Sequence, residues 1–241
     1  MRIIRTFLFA ILALTILAPA ANAESVVLAS GAGYKKMVNA LNAAYEKSSG
    51  HSLDLIYGNM AKVTTQARES GKVGLVLGDA DFLAKAELPM SETYELGQGK
   101  LVLAFAKGSQ FSKVEDLDNE AAGRIALPDT NKAIYGKAAR EYLTSSGRLP
   151  DIQPRLVEVA TIPQVFSYLT TNEVDMGFLN LTHAMNVSDE IGGYVVLEEG
   201  YSPISIIVGV LDTCPDKAEA DAFLAFLQTE EAKEIIRQNG L

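Results

Sequence analysis

Glycine and small polar residues occur at five points where an apolar strand pattern gives way to a helix pattern. The five stretches are Ser30-Gly31-Ala32-Gly33, Gly58-Asn59-Met60, Gly78-Asp79-Ala80-Asp81, Pro128-Asp129-Thr130-Asn131 and Leu179-Asn180-Leu181-Thr182. A helix start carries backbone N–H groups without intrahelical partners and a partial positive charge. Several such starts placed together would hold an anion through neutral donors. The same residue types are ordinary helix caps, so a purely structural role is the alternative at each single stretch.

The motifs that mark nucleotide-binding and hydrolytic enzymes are incomplete or absent in the sequence. Gly31 and Gly33 resemble the start of a dinucleotide-binding fingerprint, but Lys36 stands where the third glycine is required. The sequence has no Walker motif after a strand and no Gly-x-Ser-x-Gly elbow. We therefore expect a protein that is not an enzyme. A secreted hydrolase or transferase is the alternative, and it would need a nucleophile together with its base.

The remaining reactive side chains give weak indications of catalysis. His51 falls at a predicted strand start and His183 early in a predicted helix, where surface or capping roles are expected. Asp79 and Asp81 are the best carboxylate pair, and we expect them in a solvated loop rather than in an acid–base dyad. Cys214 is the single cysteine, so it has no internal disulfide partner and is expected to pack as a small hydrophobe. With so few and such scattered ligands, we expect no direct metal-cation site and no cofactor.

The first 23 residues have the three parts of a secretory signal peptide. Two arginines lie within the first five residues, the run FLFAILALTIL is apolar, and Ala21-Asn22-Ala23 is a small-x-small cleavage site. The apolar run is short for a membrane span of about 20 residues. We therefore expect cleavage after Ala23, export to the periplasm and a mature chain that starts at Glu24.

The expected mature chain is acidic. Removal of the signal peptide leaves 19 basic and 30 acidic residues, which gives a formal net charge of −11. Such a surface argues against binding to nucleic acid and to anionic membranes. The 218 residues that remain are enough for one large core or two smaller ones.

The elements that must position the five helix starts alternate along the chain. Strand patterns are followed by helix patterns almost throughout, which predicts an α/β fold with parallel sheets and helices on both faces. The predicted helices cover 34–49, 62–70, 133–145, 163–171 and 217–237. The predicted strands are SVVLAS, HSLDLIYG, KVGLVLGD, GKLVLAFAKG, RIALPD, RLVEVA, VDMGFLN, GYVVLEE and ISIIVGVL. Such sheets bind ligands beyond the carboxyl ends of their strands, where the five stretches fall.

The order of these motifs resembles one known family over nearly the whole mature chain. VVLASGAGYKKMV resembles the first oxyanion-binding loop of the periplasmic molybdate-binding proteins, which are type II periplasmic solute-binding proteins. IYGNMAKVTTQARESGKVGLVLGDAD resembles the family's second loop, helix and strand, and LVLAFAKGS resembles its strand that crosses to the second lobe. RIALPDTNKAIYGKAAREYL, ATIPQVFSYLTTNEVDMGFLNLTHA and EEAKEIIRQNGL resemble the later ligand segments and the closing helix.

The resemblance implies a two-lobed type II periplasmic-binding-protein fold of the α/β class, with the ligand in the cleft between the lobes. We expect a discontinuous first lobe of residues 24–104 plus 201–241 and a second lobe of residues 105–200. The runs LVLAFAKG and SPISIIVGVL both have strand patterns and flank the central segment, which agrees with two crossings between the lobes.

The same resemblance indicates where the ligand would bind. The family's loop serines fall on Gly33 and on Met60 or Ala61, and its last-loop tyrosine falls on Asn180, so three hydroxyl donors depart from the family pattern. Backbone N–H groups do not depend on the side chain, and an asparagine amide can replace a hydroxyl donor. The candidate ligand-binding residues are Ser30, Gly33, Tyr34, Asn59, Met60, Ala61, Ala133, Tyr135, Ile162 and Asn180, with Thr182 as a further donor.

By this resemblance the protein is a monomeric receptor that delivers its solute to the membrane permease of an ABC importer. Its expected ligand is a fully deprotonated tetrahedral oxyanion, molybdate or tungstate, held by neutral hydrogen-bond donors. The alternative is the same receptor fold with a different small ligand, another oxyanion or a small organic solute, because the ligand loops are altered. Tyr34, Tyr57, Tyr135 and Tyr201, near strand ends, would then stack on that ligand.

Overall fold

The computed structural model of the protein describes residues 25–241. The expected signal peptide and its cleavage after Ala23 lie outside the described residues. Within the described range, none of the helices combines the length and the apolar character that crossing a membrane requires.

The described strands form two five-stranded sheets, called here the first sheet and the second sheet. The strands are β1 (Val27–Gly31), β2 (Asp54–Gly58), β3 (Val73–Asp79), β4 (Met90–Gly99), β5 (Leu101–Phe105), β6 (Ile125–Pro128), β7 (Leu156–Val159), β8 (Met176–Asn180), β9 (Tyr194–Leu197) and β10 (Ile204–Leu211). The first sheet has the order β2-β1-β3-β10-β4, and the second sheet has the order β7-β6-β8-β5-β9.

Helices follow most of the strands and cover the sheets. The α-helices are α1 (Lys35–Ser49), α2 (Met60–Glu69), α3 (Ala80–Lys85), α4 (Ile134–Ser145), α5 (Leu149–Ile152), α6 (Ile162–Thr170), α7 (Leu181–Asn186), α8 (Lys217–Leu227) and α9 (Glu230–Gln238). A 3-10 turn, Ala32–Tyr34, joins β1 to α1, and further 3-10 turns cover Val114–Asp118, Gln153–Arg155 and Ser188–Glu190.

The central strands are apolar up to the polar residue that ends each of them, because helices cover both of their faces. Every residue of β3 and of β8 is buried, which is the pattern of strands inside an α/β sheet. On α1, Met37, Leu41 and Tyr45 recur every four residues and are buried on the face that meets the sheet. This helix stops at Gly50, whose φ of 78° lies in the left-handed region that favours glycine.

Both sheets are mixed, whereas the sequence pattern predicted parallel sheets. β1 pairs in parallel with β2 and β3, but β10 runs antiparallel to β3 and β4. In the second sheet β6 pairs in parallel with β7 and β8, but β5 runs antiparallel to β8 and β9. The antiparallel strands β5 and β10 are those that enter a sheet directly from the other one. Such a strand needs no helical crossover, so its direction is not fixed as parallel.

β4 and the last predicted helix differ from the sequence expectation, and the short helix α5 was not predicted. β4 was not predicted, because its run MSETYELGQG is polar and largely exposed and it is an edge strand that pairs with β10. The predicted helix 217–237 is interrupted after Leu227, and α9 begins anew at Glu230. Thr229 causes the restart, since its side chain accepts a hydrogen bond from the N–H of Ala232 at 3.3 Å.

The chain passes between the sheets twice. The first passage is at Lys100, between β4 and β5, and the second lies between β9 and β10. The expected lobe boundary at residue 104 would leave β5 in the first lobe, but β5 hydrogen-bonds β8 and β9 of the second sheet. A division that follows the sheets therefore starts the second lobe at about residue 100. The division into lobes itself stays a prediction.

Candidate functional site

A small cavity lies where the carboxyl ends of strands from the two sheets face each other. It is lined by Gly31, Ala32, Gly33, Tyr34, Gly58, Asn59, Met60, Ala133, Ile134, Tyr135, Thr161 and Ile162, and these residues define the cleft cavity. Seven of the ten candidate ligand-binding residues are in this lining. The cavity has a volume of about 30 Å³. This volume suits a ligand of a few heavy atoms.

Four helix starts meet at the cleft cavity, two from each sheet. The 3-10 turn that leads into α1 and the start of α2 follow β1 and β2 of the first sheet. The starts of α4 and α6 follow β6 and β7 of the second sheet. N–H groups in the first turn of a helix have no partner within that helix, and the helix dipole makes this end partially positive. The arrangement can therefore hold an anion without a charged side chain.

The start of α2 is organised by Asn59 and Met60. The side-chain oxygen of Asn59 accepts a hydrogen bond from the N–H of Lys62 at 3.0 Å and so caps the helix. Met60 is buried, and a Cβ at Gly78 would lie 2.4 Å from its Cε, so this glycine makes the space for the methionine. The N–H of Met60 makes no hydrogen bond with another described residue. It is a free donor at the cavity.

The starts of α4 and α6 have no side-chain cap. Ala133 precedes α4 and Thr161 precedes α6, and neither side chain accepts a hydrogen bond from the first turn. Ile134 and Ile162, the first residues of these helices, are buried, and their N–H groups make no hydrogen bond with a described residue. Buried backbone donors are nearly always paired. These two N–H groups are therefore the ones that most need a hydrogen-bond acceptor from a bound ligand.

Two of the expected peptide donors are occupied within the chain. The N–H of Ala61 donates to the carbonyl oxygen of Lys132 across the cleft at 3.2 Å. The N–H of Ala133 donates to the carbonyl oxygen of Asp129 at 3.0 Å. Ala133 still lines the cavity, and Ala61 does not. The helix α4 begins after Ala133. The N–H groups of its first turn that face the cavity are therefore those of Ile134 and Tyr135, one and two residues after the expected donor Ala133.

Ser30 and Asn180 lie outside the cavity lining. Ser30 is fully buried, and its hydroxyl donates to the carbonyl of Gly31 at 3.3 Å. Asn180 is also fully buried, and its Nδ2 donates to the carbonyl of Gly33 at 3.3 Å. Asn180 therefore fixes the opening turn from the side of the second sheet. Its Oδ1 has no hydrogen-bond partner among the described residues.

Two tyrosines face each other inside the cavity. Tyr34 ends the 3-10 turn and Tyr135 is the second residue of α4, so they come from opposite sides of the cleft. Their hydroxyl oxygens are 2.5 Å apart and their ring centroids 6.3 Å apart. Tyr57 and Tyr201 are not in the lining, and their hydroxyls donate to Asn39 and Leu197. The stacking arrangement of four tyrosines is therefore not formed.

The cavity lining is electrically neutral. None of its residues is basic or acidic, and burial raises the pKa of Tyr34 and of Tyr135 well above the ordinary range. Both phenols therefore stay protonated at neutral pH and act as O–H groups rather than as bases. Asp79, whose own pKa is raised by burial, adds to the upward shift of both tyrosines. It is committed to capping α3, because it accepts from the N–H of Phe82 at 3.0 Å.

The residues considered for catalysis do not assemble at the cavity. His51 is exposed and pairs with Glu219 at 2.9 Å. His183 is partly buried rather than a fully exposed surface residue, and its ring packs on Phe166 with centroids 5.4 Å apart. Among the described residues, no group of three or more His, Cys, Asp or Glu side chains could hold a metal ion.

Five lining residues were not among the candidates. They are Gly31, Ala32, Gly58, Ile134 and Thr161. Gly31 and Gly58 end their strands, and both stood in the glycine-containing stretches that marked the helix starts. Ile134 and Thr161 line the cavity mainly because they lie at helix starts. Isoleucine and threonine are common residues that do not by themselves indicate such a position in a sequence.

Comparison with known proteins gives a consistent result. The model of the family of bacterial extracellular solute-binding proteins matches residues 26–241. The molybdate-binding protein ModA of Rhodobacter capsulatus is 29% identical, over 92% of this chain and 89% of that protein. ModA of Azotobacter vinelandii is 26% identical, over 93% and 92%. The solved structure of the Azotobacter vinelandii periplasmic molybdate-binding protein has a similar fold, with a TM-score of 0.81 at 22% identity over 90% of this chain and 98% of that one.

Proposed function

This chain belongs to the family of bacterial extracellular solute-binding proteins, and on that premise we propose that it is the receptor of an ABC importer for molybdate or tungstate. The ligand is a tetrahedral oxyanion held in the cleft cavity by neutral donors. Two relatives that match over most of the chain are named as molybdate-binding proteins, which supports this choice of ligand.

The observation that carries the proposal is the convergence of four helix starts on a neutral cavity. Met60, Ile134 and Ile162 present N–H groups that make no hydrogen bond with a described residue. Each hydrogen bond from such a group to an anion contributes about 1.5–3 kcal/mol. Several of them offset the cost of removing water from the anion, and they do so although the protein as a whole is acidic.

The size of the cavity favours an inorganic anion over an organic solute. Pockets for drug-sized ligands have volumes of about 300–1,000 Å³, whereas the cleft cavity has a volume of about 30 Å³. Sulfate has shorter bonds to its oxygens than molybdate and would not reach all donors of a cage fitted to the larger ion. Two unmade hydrogen bonds correspond to roughly 30-fold weaker binding or more.

Closure of the cleft completes the donor set. Ala61 donates to Lys132 across the cleft, and Nδ2 of Asn59 donates to the carbonyl of Ala160 at 3.4 Å. These bonds join the starts of α2, α4 and α6 around the ligand, so a hinge motion at the two chain passages controls access. The membrane permease then recognises the closed arrangement.

The expected export signal completes the proposal. The protein acts in the periplasm after cleavage behind Ala23, as a monomer, and it is a binding protein rather than an enzyme. The relatives named above are binding proteins by name. The tyrosine phenols of the cavity are held protonated by burial, so they serve as donors and not as nucleophiles.

Titration calorimetry on the mature protein tests the ligand, with molybdate, tungstate, sulfate and phosphate as the panel. We expect tight and similar binding of molybdate and tungstate, and sulfate weaker by about 30-fold or more. Heat from an organic solute with no heat from molybdate or tungstate would contradict the proposal.

A pair of variants at Met60 tests the backbone donor. Met60→Pro removes the N–H at the first position of α2, where proline is well tolerated and where Asn59 already has the extended conformation that a following proline requires. Met60→Ala removes the same side chain but keeps the N–H, so it is the matched control. We expect molybdate to bind to the proline variant about 10-fold or more weakly than to the alanine variant. Equal affinities would show that this N–H does not contact the ligand.

A further inference from the structure

The hydroxyls of Tyr34 and Tyr135 form a hydrogen bond that joins the two sides of the cleft. Tyr34 belongs to the turn after β1 in the first sheet, and Tyr135 belongs to α4 beside the second sheet. The side chains are 1% and 3% exposed, and the oxygens are 2.5 Å apart. A hydrogen bond of this kind exists only while the two sides are together. It therefore stabilises the closed arrangement in particular.

Gly99 provides the space that the hydroxyl pair occupies. It is the last residue of β4, next to the first chain passage, and it pairs with Ile204 at the start of β10, next to the second passage. A Cβ at Gly99 would lie 2.2 Å from the hydroxyl oxygen of Tyr135 and 3.1 Å from that of Tyr34. The φ of Gly99 is not in the left-handed region, so space rather than backbone conformation requires the glycine. The pair thus lies against both passages, where a hinge must bend.

The pair holds one proton more than its internal bond uses. Two hydroxyls carry two protons, and the bond between them consumes one. The amide of Asn180 contacts the Tyr34 hydroxyl and lowers the pKa of Tyr34, as a hydrogen-bond donor does. Its Oδ1 accepts no hydrogen bond from a described residue, so Asn180 does not take up the second proton. Both tyrosines line the cleft cavity, and a buried O–H needs an acceptor. An oxygen atom of the bound ligand would supply it.

We propose that Tyr34 and Tyr135 act as one latch, which holds the cleft closed at the two chain passages and donates its spare O–H to the bound anion. The second half of this statement rests on the proposed function, whereas the first half does not. By the resemblance to the molybdate-binding proteins, Gly33, Met60 or Ala61, and Asn180 fall where that family has hydroxyl side chains. The latch supplies a hydroxyl donor to this altered site. One pair of residues then links ligand contact to closure.

Phenylalanine variants test the donor. Tyr34→Phe and Tyr135→Phe each break the internal bond but leave one hydroxyl, and we expect molybdate affinity to fall about 5-fold to 10-fold in each. The double variant removes the last O–H, and we expect a further loss of about 10-fold or more. Tyr45→Phe is the matched control, because Tyr45 is equally buried but its hydroxyl donates to Glu219 within the first-sheet side. It should bind molybdate like the wild type.

A stability cycle tests the latch without any ligand. Gly99→Ala should lower the Tm, because its Cβ collides with the Tyr135 hydroxyl, and it should lower the Tm much less in the Tyr135→Phe background, which lacks that oxygen. Small-angle scattering without anion should give a larger radius of gyration for the two single phenylalanine variants than for wild type and Tyr45→Phe.

The outcomes separate the latch from the proposed function. Equal effects of Gly99→Ala in both backgrounds, with an unchanged radius of gyration in the phenylalanine variants, would overturn the latch. Wild-type affinity for molybdate in the double variant would overturn its role as a donor. If the wild type itself binds no tetrahedral oxyanion, the proposed function is wrong. The Tm values of the Gly99→Ala variants and the radii of gyration would still test whether the latch holds the cleft closed.

Discussion

His183 is an ionisable side chain held in an unusual state away from the cleft cavity. It lies in α7, its ring packs edge-on against Phe166, and its Nε2 is buried without a hydrogen-bond partner among the described residues. Burial, together with the positive charge of Lys36, lowers the pKa of His183 to about 4. The imidazole is therefore neutral in the folded protein at neutral pH.

The pKa of His183 predicts how stability depends on pH. The unfolded chain has an ordinary histidine pKa of 6.5, so between pH 6.5 and about 4 it binds a proton that the folded protein does not. Stability is lost as the pH falls through this window, by up to about 3 kcal/mol from this residue. Urea unfolding of wild type and His183→Gln at several pH values measures it. The glutamine variant should lose less stability on acidification, and parallel curves would contradict the assigned state.

At the residue scale, the sequence located most of the cavity but not the atoms that are free to bind. Gly33, Met60 and Ile162 line it as expected. Ala61 was expected as a donor, yet its N–H is taken by a carbonyl that lies 71 residues further along the chain, at Lys132. A contact of that kind depends on how the two sides of the cleft meet. The spacing of residues along one strand or helix contains no information about it.

If the proposed function holds, the start of α4 illustrates a conflict between helix stability and ligand binding. Ala133 has the extended conformation of an N-cap residue, with φ −128° and ψ 138°, but its side chain cannot cap. Aspartate, asparagine or serine at such a position contributes about 0.5–2 kcal/mol relative to alanine. The chain therefore forgoes this stabilisation at a helix start that faces the cavity.

Ala133→Asp should change stability and binding in opposite directions. The carboxylate would accept hydrogen bonds from the first turn of α4 and interact favourably with the helix dipole, which should raise the Tm by a few degrees. It would also place a negative charge in the cavity and abolish oxyanion binding. Ala133→Asn is the neutral control, which should cap the helix with a smaller loss of affinity. Calorimetry and thermal melts measure both effects, and an aspartate variant that still binds molybdate tightly would contradict the site.

At the element scale, helices and buried strands were predictable, while edges and directions were not. β3 and β8 are apolar runs that end in Asp79 and Asn180 and lie between helices, and their pattern identifies them. β4 has a polar sequence because one side of it has no neighbouring strand, so it lacks a strand signal. The antiparallel direction of β5 and β10 follows from the passage of the chain between two sheets, which local periodicity does not express.

The whole molecule combines an acidic surface with a neutral cavity that we propose as a site for an anion. The formal net charge of the full sequence is −9, so the protein as a whole repels the ligand that we propose. The cavity lining has no charged residue, and its attraction comes from N–H and O–H dipoles at contact distance. Added salt screens the long-range repulsion but hardly affects buried hydrogen bonds.

Ionic strength should therefore leave molybdate binding unchanged or make it tighter. A site built on lysine or arginine would show the opposite, since salt weakens attraction between exposed opposite charges. Calorimetric titrations in low and high concentrations of sodium chloride distinguish the two cases. A marked loss of affinity at high salt would indicate that basic side chains outside the cleft cavity hold the anion.

The central claim is that one tetrahedral oxyanion is held at the four helix starts by neutral donors. A crystal structure with tungstate, with anomalous scattering used to locate the metal atom, tests it most directly. We predict a single strong peak in the cleft cavity, with oxygens within hydrogen-bond distance of the N–H groups of Met60, Ile134 and Ile162 and no lysine or arginine side chain in contact. A peak at a basic surface site, or an empty cleft cavity at saturating tungstate, would contradict the account.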